Sequence, residues 1–364
     1  MKKNPCLQID LEKLRHNAAT IHKLCAARGI EVIGITKGFT AIPEIAQVMI
    51  VSGIIKLGDS RLDNIQSLKA AGIKAEMVLI RTPMLHEVDR VVKLTCCSLN
   101  SEIAVIQALS SVAVQHGKIH DIILMVDFGD LREGVLPEEA RDTVQQILPL
   151  QGIRLRGLGV NFNCISGIQP TPDNLLGLIA LSQKIEREFG ITFETLSGGA
   201  TSSLELVEKG TIPIEINQLR IGEGILLGHS DIFTDLEDTF QDSFILVAEI
   251  IELKEKEYIQ SGTVGLDSFG KIPTQKVGGI RKRAILAIGK QDVYPDNVKP
   301  LDDKITILAA SSDHLIVDVT DSSVEYHVGE EIRFKLSYPG ILSATTSKFV
   351  TIQFSRDIEN RGVS

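Results

Sequence analysis

Between residues 11 and 235 the apolar positions follow two alternating rhythms. Short runs rich in β-branched residues read as buried strands: EVIGIT, GIIKLGD, AEMVLIR, KLTCCSL, DIILMVDFG, RLRGLGVNF, TFETLSGG and INQLRIGEG. Between them lie stretches with apolar residues three and four apart, the spacing of one helix face: IPEIAQVMIVSG, RLDNIQSLKAAG, SEIAVIQALSSVAVQHG, EEARDTVQQILPL and NLLGLIALSQKIEREFG. Several close on glycine, the residue favoured just past a helix end. Eight such strands alternating with helices predict an α/β fold, a closed (β/α)8 TIM barrel over 11–235. An open doubly wound sheet is the competing topology, and eight parallel units favour closure.

After residue 236 the rhythm changes. SFILVAEIIELKEKEYI, KRAILAIGKQDV, KITILAASSDHLIVDVT, VEYHVGEEIRFKLSY and KFVTIQF read as strands with little helical period, and EYHVGEE reads as a reversal between two of them. They predict a C-terminal β-rich domain over 236–364. CLQID, inside residues 1–10, precedes the first helix and is expected to join that domain as a strand. The chain has no internal repeat or low-complexity linker.

Composition narrows the function class. A net charge of −9 argues against nucleic acid as a partner, because phosphate binding needs a basic surface. Tryptophan is absent and aromatics make up 4%, which argues against a stacking platform for bases. No apolar run reaches membrane-spanning length, and MKKNPCLQID lacks the apolar core of a signal peptide, so a cytoplasmic protein is expected. Five cysteines without a CxxC pair or Cys/His ligand spacing predict reduced thiols and no metal site.

On a barrel, chemistry collects at the carboxyl ends of the strands. VIGITKGFT places Lys37 there on strand one, Arg132 follows strand five, Asn161 ends strand six and Arg220 lies in strand eight. LSGGATSSL, from Leu196, packs two glycines and four hydroxyls behind strand seven, and LRIGEGILLG sets Gly222 and Gly224 at the next strand end. Glycine permits close backbone approach, and N–H groups at a helix start bind anions. Two neighbouring Gly-rich strand ends suit a phosphate. With a lysine nearby they point to pyridoxal 5′-phosphate, whose aldehyde needs an amine and whose phosphate needs such a cradle.

MVDFGDLREG, GLGVNFNC, SGGATSS, NQLRIGEGILLG, GIRKRAILAIG and ASSDHLIVDV together resemble the alanine-racemase-like pyridoxal-phosphate enzymes, in particular their ornithine racemase branch. The resemblance runs through nearly the whole chain. It implies a racemase acting on a small-molecule amino acid, and a homodimer in which each site is completed by the partner's β domain. It implies Lys37 as the Schiff-base lysine and base on one face of the α-carbon, and Arg132 beside the cofactor's phenolic oxygen. Asn161 falls where a histidine often packs near the ring. Ser197, Thr201, Ser202, the N–H groups of Ile221 and Gly222, and Tyr338 fall at cofactor positions. Arg220 falls opposite the pyridine nitrogen, where a permanent cation disfavours ring protonation and so favours racemisation over decarboxylation.

The match breaks in places. The tyrosine that serves as acid on the opposite face is replaced by Lys290 in AILAIGKQDV, and His314 in SSDHLIV is the second candidate. Tyr258, Tyr294 and Tyr326 fall elsewhere, Met125 stands where the pattern has a lysine, and Ala41 stands where a tyrosine follows the Schiff-base lysine. Alanine is therefore a poor first substrate. Ornithine fits better, with a distal ammonium that must be paired when buried, and Asp130, Asp292 and Asp313 are candidate carboxylates. A broad-specificity racemase of lysine, alanine or serine is the alternative enzyme, since one methylene discriminates weakly. A non-catalytic pyridoxal-phosphate homeostasis protein shares the barrel and lysine but generally lacks a second domain.

Overall fold

A computed structural model describes residues 4–231, 234–257, 265–266, 269–270 and 279–355. The chain separates into two compact units, Glu12–Gln241 and a second made of Met1–Leu11 with Asp242–Ser364. Tyr258 lies outside the described residues.

β1 (Cys6–Ile9) belongs to the second unit, and the next eight strands close the first into a parallel barrel. They are β2 (Glu31–Ile35), β3 (Lys56–Asp59), β4 (Glu76–Leu79), β5 (Cys97–Asn100), β6 (His120–Met125), β7 (Ile153–Gly159), β8 (Thr195–Ser197) and β9 (Gln218–Ile221). β9 returns to β2, with Val32 opposite Leu219 and Gly34 opposite Ile221. Alternate residues point inward, so Ile33, Ile35, Val78, Cys97, Leu99, Ile123 and Met125 pack into one buried cluster. β7 and β8 approach so closely that a Cβ on Gly157 would sit 1.7 Å from the Thr195 carbonyl oxygen. Only glycine allows that pairing.

The outer helices follow their sequence signals. Pro172–Phe189 begins with a capping box, Thr171 Oγ1 accepting from Asn174 N at 3.2 Å while Thr171 N donates to Asn174 Oδ1 at 2.9 Å. It ends on Gly190 at φ +65°, and its buried residues Leu175, Leu178, Ile179, Ser182 and Ile185 keep helical spacing. A short helix, Val88–Leu94, stands where the apolar rhythm was too brief to read. The unit continues to Gln241 through the hairpin of β10 (His229–Asp231) and β11 (Thr234–Asp235). Buried Asn17 fastens this end, its amide donating to the Ile225 and Phe240 carbonyls and its Oδ1 accepting from Phe240 N.

The amino-terminal end of the barrel holds a cavity of about 290 Å³ walled by paired charges. Lys56 lies 2.8 Å from Glu31 and 3.6 Å from Glu76, Gln218 donates to Glu31 at 3.0 Å, and Arg154 and Arg156 meet Asp121. This is the end of a barrel that serves stability.

The second unit is an eight-stranded sheet. β12 (Phe244–Glu257), β13 (Ile280–Leu286), β14 (Val298–Pro300), β15 (Thr306–Ala310), β16 (Leu315–Asp318) and β17 (Glu331–Leu336) run in the order β14-β17-β12-β13-β16-β15, and β1 lies antiparallel to β12 and parallel to β18 (Thr351–Phe354). EYHVGEE turns between strands, as its reading as a reversal expects, and one detail differs from the expected strands. His327 N donates to Glu330 Oε2 at 2.8 Å and Gly329 takes φ +92°, so the segment turns, and only Glu331–Leu336 pairs. KLSY does not end in a strand: Ser337 precedes a helix, Tyr338–Thr346, that carries Pro339 in its first turn. No helix among the described residues is long and apolar enough to cross a membrane.

Candidate active site

Lys37 lies beyond the end of its strand, in a single 3-10 turn, Lys37–Phe39. Thr36 N donates to Gly58 O at 2.9 Å, and buried Phe39 anchors the turn. Thr36 Oγ1 donates to Asp59 Oδ2 at 2.5 Å; Asp59 also accepts from Arg61 N at 2.8 Å and from Asn64 Nδ2 at 3.1 and 3.2 Å. Both Asp59 oxygens are thus occupied, and burial raises its pKa against those bonds. The Lys37 amine is held below its ordinary pKa, first by burial and then by the Arg132 guanidinium, while Cys164, Asp59 and Glu133 oppose the shift. Such an amine reaches its nucleophilic, basic form more readily than a solvated lysine.

Arg132 sits in the loop after β6. Asp127 Oδ1 accepts from Gly129 N and Leu131 N and folds that loop, with Leu131 at φ +57°. Arg132 Nη2 donates to Glu133 Oε1 at 3.0 Å, and its Nε lies 3.0 Å from Glu133 Oε2 and 4.0 Å from Asp130 Oδ2. Asp130 is 2% exposed, and its Oδ1 accepts from Cys164 N at 3.0 Å and Ile165 N at 3.3 Å. Its Oδ1 therefore ties two loops together, while its Oδ2 is buried without a hydrogen-bond partner.

Arg220 is fully enclosed in the barrel. Its Nη1 donates to Ser197 Oγ, and its Nη2 donates to the Val160 carbonyl at 2.5 Å and to Asn161 Oδ1 at 2.9 Å. All three acceptors are neutral. Burial, and then Arg132, lower its pKa to about 10, which leaves it charged at neutral pH. Ser197 and Asn161 thereby act on Arg220 itself, and the bond to Asn161 Oδ1 turns the Nδ2 of that amide the other way, where it has no partner.

Thr201 and Ser202 occupy the turn Thr201–Ser203 that leads into Leu204–Glu208. Thr201 Oγ1 accepts from Gly224 N at 3.2 Å and so joins this turn to the loop after β9, where Ile221 ends the strand and Gly222 precedes Glu223–Leu227. Gly199 takes φ +111°, which L side chains rarely adopt, and a Cβ on Gly222 would press on Ile35 Cβ at 3.1 Å, so both positions favour glycine. Ser202 Oγ is buried without a partner. An orphaned hydroxyl in a glycine cradle, an orphaned amide on Asn161, a buried guanidinium held only by neutral acceptors and a lowered lysine amine together fit pyridoxal phosphate. The phosphate suits the cradle and the aldehyde suits Lys37.

The remaining predicted residues belong to the β unit. Residues 289–292 pack backbone to backbone against 311–314: Lys290 N donates to Ser311 O and Gln291 N to Ser312 O, both at 2.9 Å, and a Cβ on Gly289 would meet Asp313 N at 2.3 Å. Lys290, His314 and Asp313 thus share one surface. The Lys290 ammonium lies 3.5 Å over the Phe269 ring, and His314 Nδ1 lies 3.2 Å from exposed Asp313. Asp292 is buried and accepts from Ser347 Oγ at 2.6 Å and from Gly289 N at 3.4 Å, so it braces its own turn. Tyr338 is half-buried at the first position of its helix.

Asp59, Glu133 and Cys164 act on the Lys37 amine and were absent from the residues picked out by sequence. Asp59 had a signal, a carboxylate at the carboxyl end of a barrel strand. Glu133 and Cys164 lie in irregular loops, where nothing in the pattern fixes direction.

The profile of the alanine racemase N-terminal domain matches residues 9–230. Ornithine racemase of Acetoanaerobium sticklandii is 40% identical over 348 residues, covering 95% of this chain and 98% of that protein. Lysine racemase of Thermotoga maritima is 39% identical over 347 residues, covering 95% and 97%. Among solved structures, an alanine racemase of Clostridium difficile 630 shares the fold with a TM-score of 0.72 at 17% identity, over 96% of this chain and 95% of that one. The profile spans the whole barrel and the two long relatives span nearly the whole chain, so this protein belongs to the alanine racemase family.

Proposed function

We propose that the protein is a pyridoxal-phosphate-dependent racemase that interconverts L- and D-ornithine, with lysine as the second substrate. The near full-length similarity to an ornithine racemase and, one percentage point lower, to a lysine racemase supports a basic amino acid. Bound pyridoxal phosphate supplies an aldehyde for amine condensation and an electron sink that acidifies the substrate's α-hydrogen.

Within that reading, Lys37 would hold the cofactor through its amine, and the same amine would take or return the α-proton on one face. Arg132 would hold the phenolic oxygen. Ser202, Thr201 and the Ile221 and Gly222 N–H groups would hold the phosphate, and the family resemblance alone adds Tyr338 as a further phosphate ligand. Asn161 offers its free amide N–H to the ring. The acid on the other face is Lys290, with His314 as its alternative, contributed by a second copy in a cytoplasmic homodimer.

One observation carries racemisation in particular: the Arg220 guanidinium rests on Ser197, Val160 and Asn161, none of which is a carboxylate. A cation that no carboxylate neutralises disfavours protonation of the ring nitrogen, and an unprotonated ring is a weaker sink for the electrons of the α-carbon. Prompt return of a proton to the same carbon is then favoured over slower outcomes. The test is chiral chromatography of L-ornithine, L-lysine and L-alanine after incubation with cofactor-loaded protein. The D-isomer forms fastest from ornithine. Faster turnover of alanine overturns the substrate assignment.

A further inference from the structure

Three carboxylates surround Lys37 and Arg132, and they differ in what they have left to bind. Asp59 is 1% exposed, and both its oxygens accept from Thr36, Arg61 or Asn64. Asp130 is 2% exposed, with one oxygen on the Cys164 and Ile165 N–H groups and the other sealed in protein, 4.0 Å from Arg132. Glu133 keeps 24% of its side chain exposed, beside an Arg132 side chain exposed to a similar degree. A carboxylate offers about four lone-pair sites, and the hydrogen bond from Arg132 Nη2 to Glu133 Oε1 uses one of them. Its charge also reaches into the barrel, where it favours the protonated form of both Lys37 and Arg220.

Resting on the racemase reading above, we propose that Glu133 is the residue that selects a basic amino acid, accepting the distal ammonium of the substrate while Arg132 holds its inner side. The arrangement places one carboxylate between two cations, which relieves the cost of bringing a second positive charge up to a site already lined by Arg132 and Arg220. It needs no residue from the β unit. It also explains why Asp130 is not the selector: its free oxygen is out of a ligand's reach.

The test compares L-ornithine with L-norvaline, which has the same carbon chain without the ammonium. For cofactor-loaded wild type, Glu133→Gln and Glu133→Asp, kcat/KM is measured for both, together with dissociation constants from absorbance titration of the bound cofactor. The expected result is a fall of about tenfold or more in the ornithine-to-norvaline ratio for E133Q, seen in KM and in the dissociation constants, and recovery of most of that ratio in E133D. An unchanged ratio in E133Q overturns the proposal. If E133Q is inactive with both compounds, the dissociation constants decide in the same way. Wild type that treats norvaline as well as ornithine overturns the basic-substrate reading itself, a result distinct from loss of the Glu133 assignment.

Discussion

Thr36 Oγ1 donates to Asp59 Oδ2 over 2.5 Å, which ties the residue before Lys37 to the end of the neighbouring barrel strand. The same carboxylate gathers Arg61 N and Asn64, so one buried group sets the entry to the helix Leu62–Ala70 and the position of the Lys37 turn. Asp59→Ala strands those donors and is expected to destabilise the protein by about 2–4 kcal/mol in urea unfolding. Asp59→Asn keeps the size and removes the charge that favours protonated Lys37, so the Lys37 amine titrates at lower pH than in wild type. Carbon-13 methyl-lysine NMR of cofactor-free protein reads that titration directly. An unmoved Lys37 resonance would show that Asp59 places the turn without tuning the amine.

Arg220 depends on its planar, three-acceptor fork. Arg220→Lys keeps a cation yet cannot span Ser197 Oγ, the Val160 carbonyl and Asn161 Oδ1 together. At least one buried acceptor is left unsatisfied, at a cost of about 1–3 kcal/mol. The variant is expected to lower racemase kcat/KM by roughly tenfold to a hundredfold through misplacement of the site. Steady-state kinetics beside a thermal melt separates the two effects.

His120 predicts a pH dependence unrelated to catalysis. Its Nε2 lies 2.8 Å from Ser98 Oγ, and burial lowers its pKa to about 4. In the unfolded chain the ordinary histidine value near 6.5 applies. Between those values the unfolded state binds more protons, so stability from the neutral ring is fully present above pH 6.5 and is lost as pH falls toward 4. The difference amounts to roughly 3 kcal/mol at most. Urea unfolding of wild type and His120→Gln from pH 7 to 4.5 is expected to show a shallower decline in the variant. Parallel declines would rule His120 out as the source.

The barrel was legible because eight runs such as DIILMVDFG alternate with helical stretches, and because Lys37, Arg132, Asn161 and Arg220 all fall at or near the carboxyl end of such runs. The bond from Thr36 to Asp59 was not, since its partners lie 23 residues apart and only strand pairing brings them together. The roles of Asp130 and Asp292 turn on burial: each carboxylate reads from sequence as an open acid, and each is buried and accepts hydrogen bonds within its own unit. Glu133 stayed hidden because only the Asp127 turn decides which way the 129–134 loop faces. KLSY alternates and so reads as a strand end, while the helix Tyr338–Thr346 begins at its tyrosine with Pro339 in the first turn.

The most direct test of the account follows the α-hydrogen. Cofactor-loaded protein is incubated with L-ornithine in D2O, and the α-proton is followed by NMR beside chiral chromatography. Loss of the α-proton together with appearance of D-ornithine is the predicted result, since a base on one face and an acid on the other must both exchange with solvent. Exchange with retained L-configuration would contradict the acid assigned to Lys290 or His314 and leave Lys37 acting alone. No exchange at all would contradict the racemase reading.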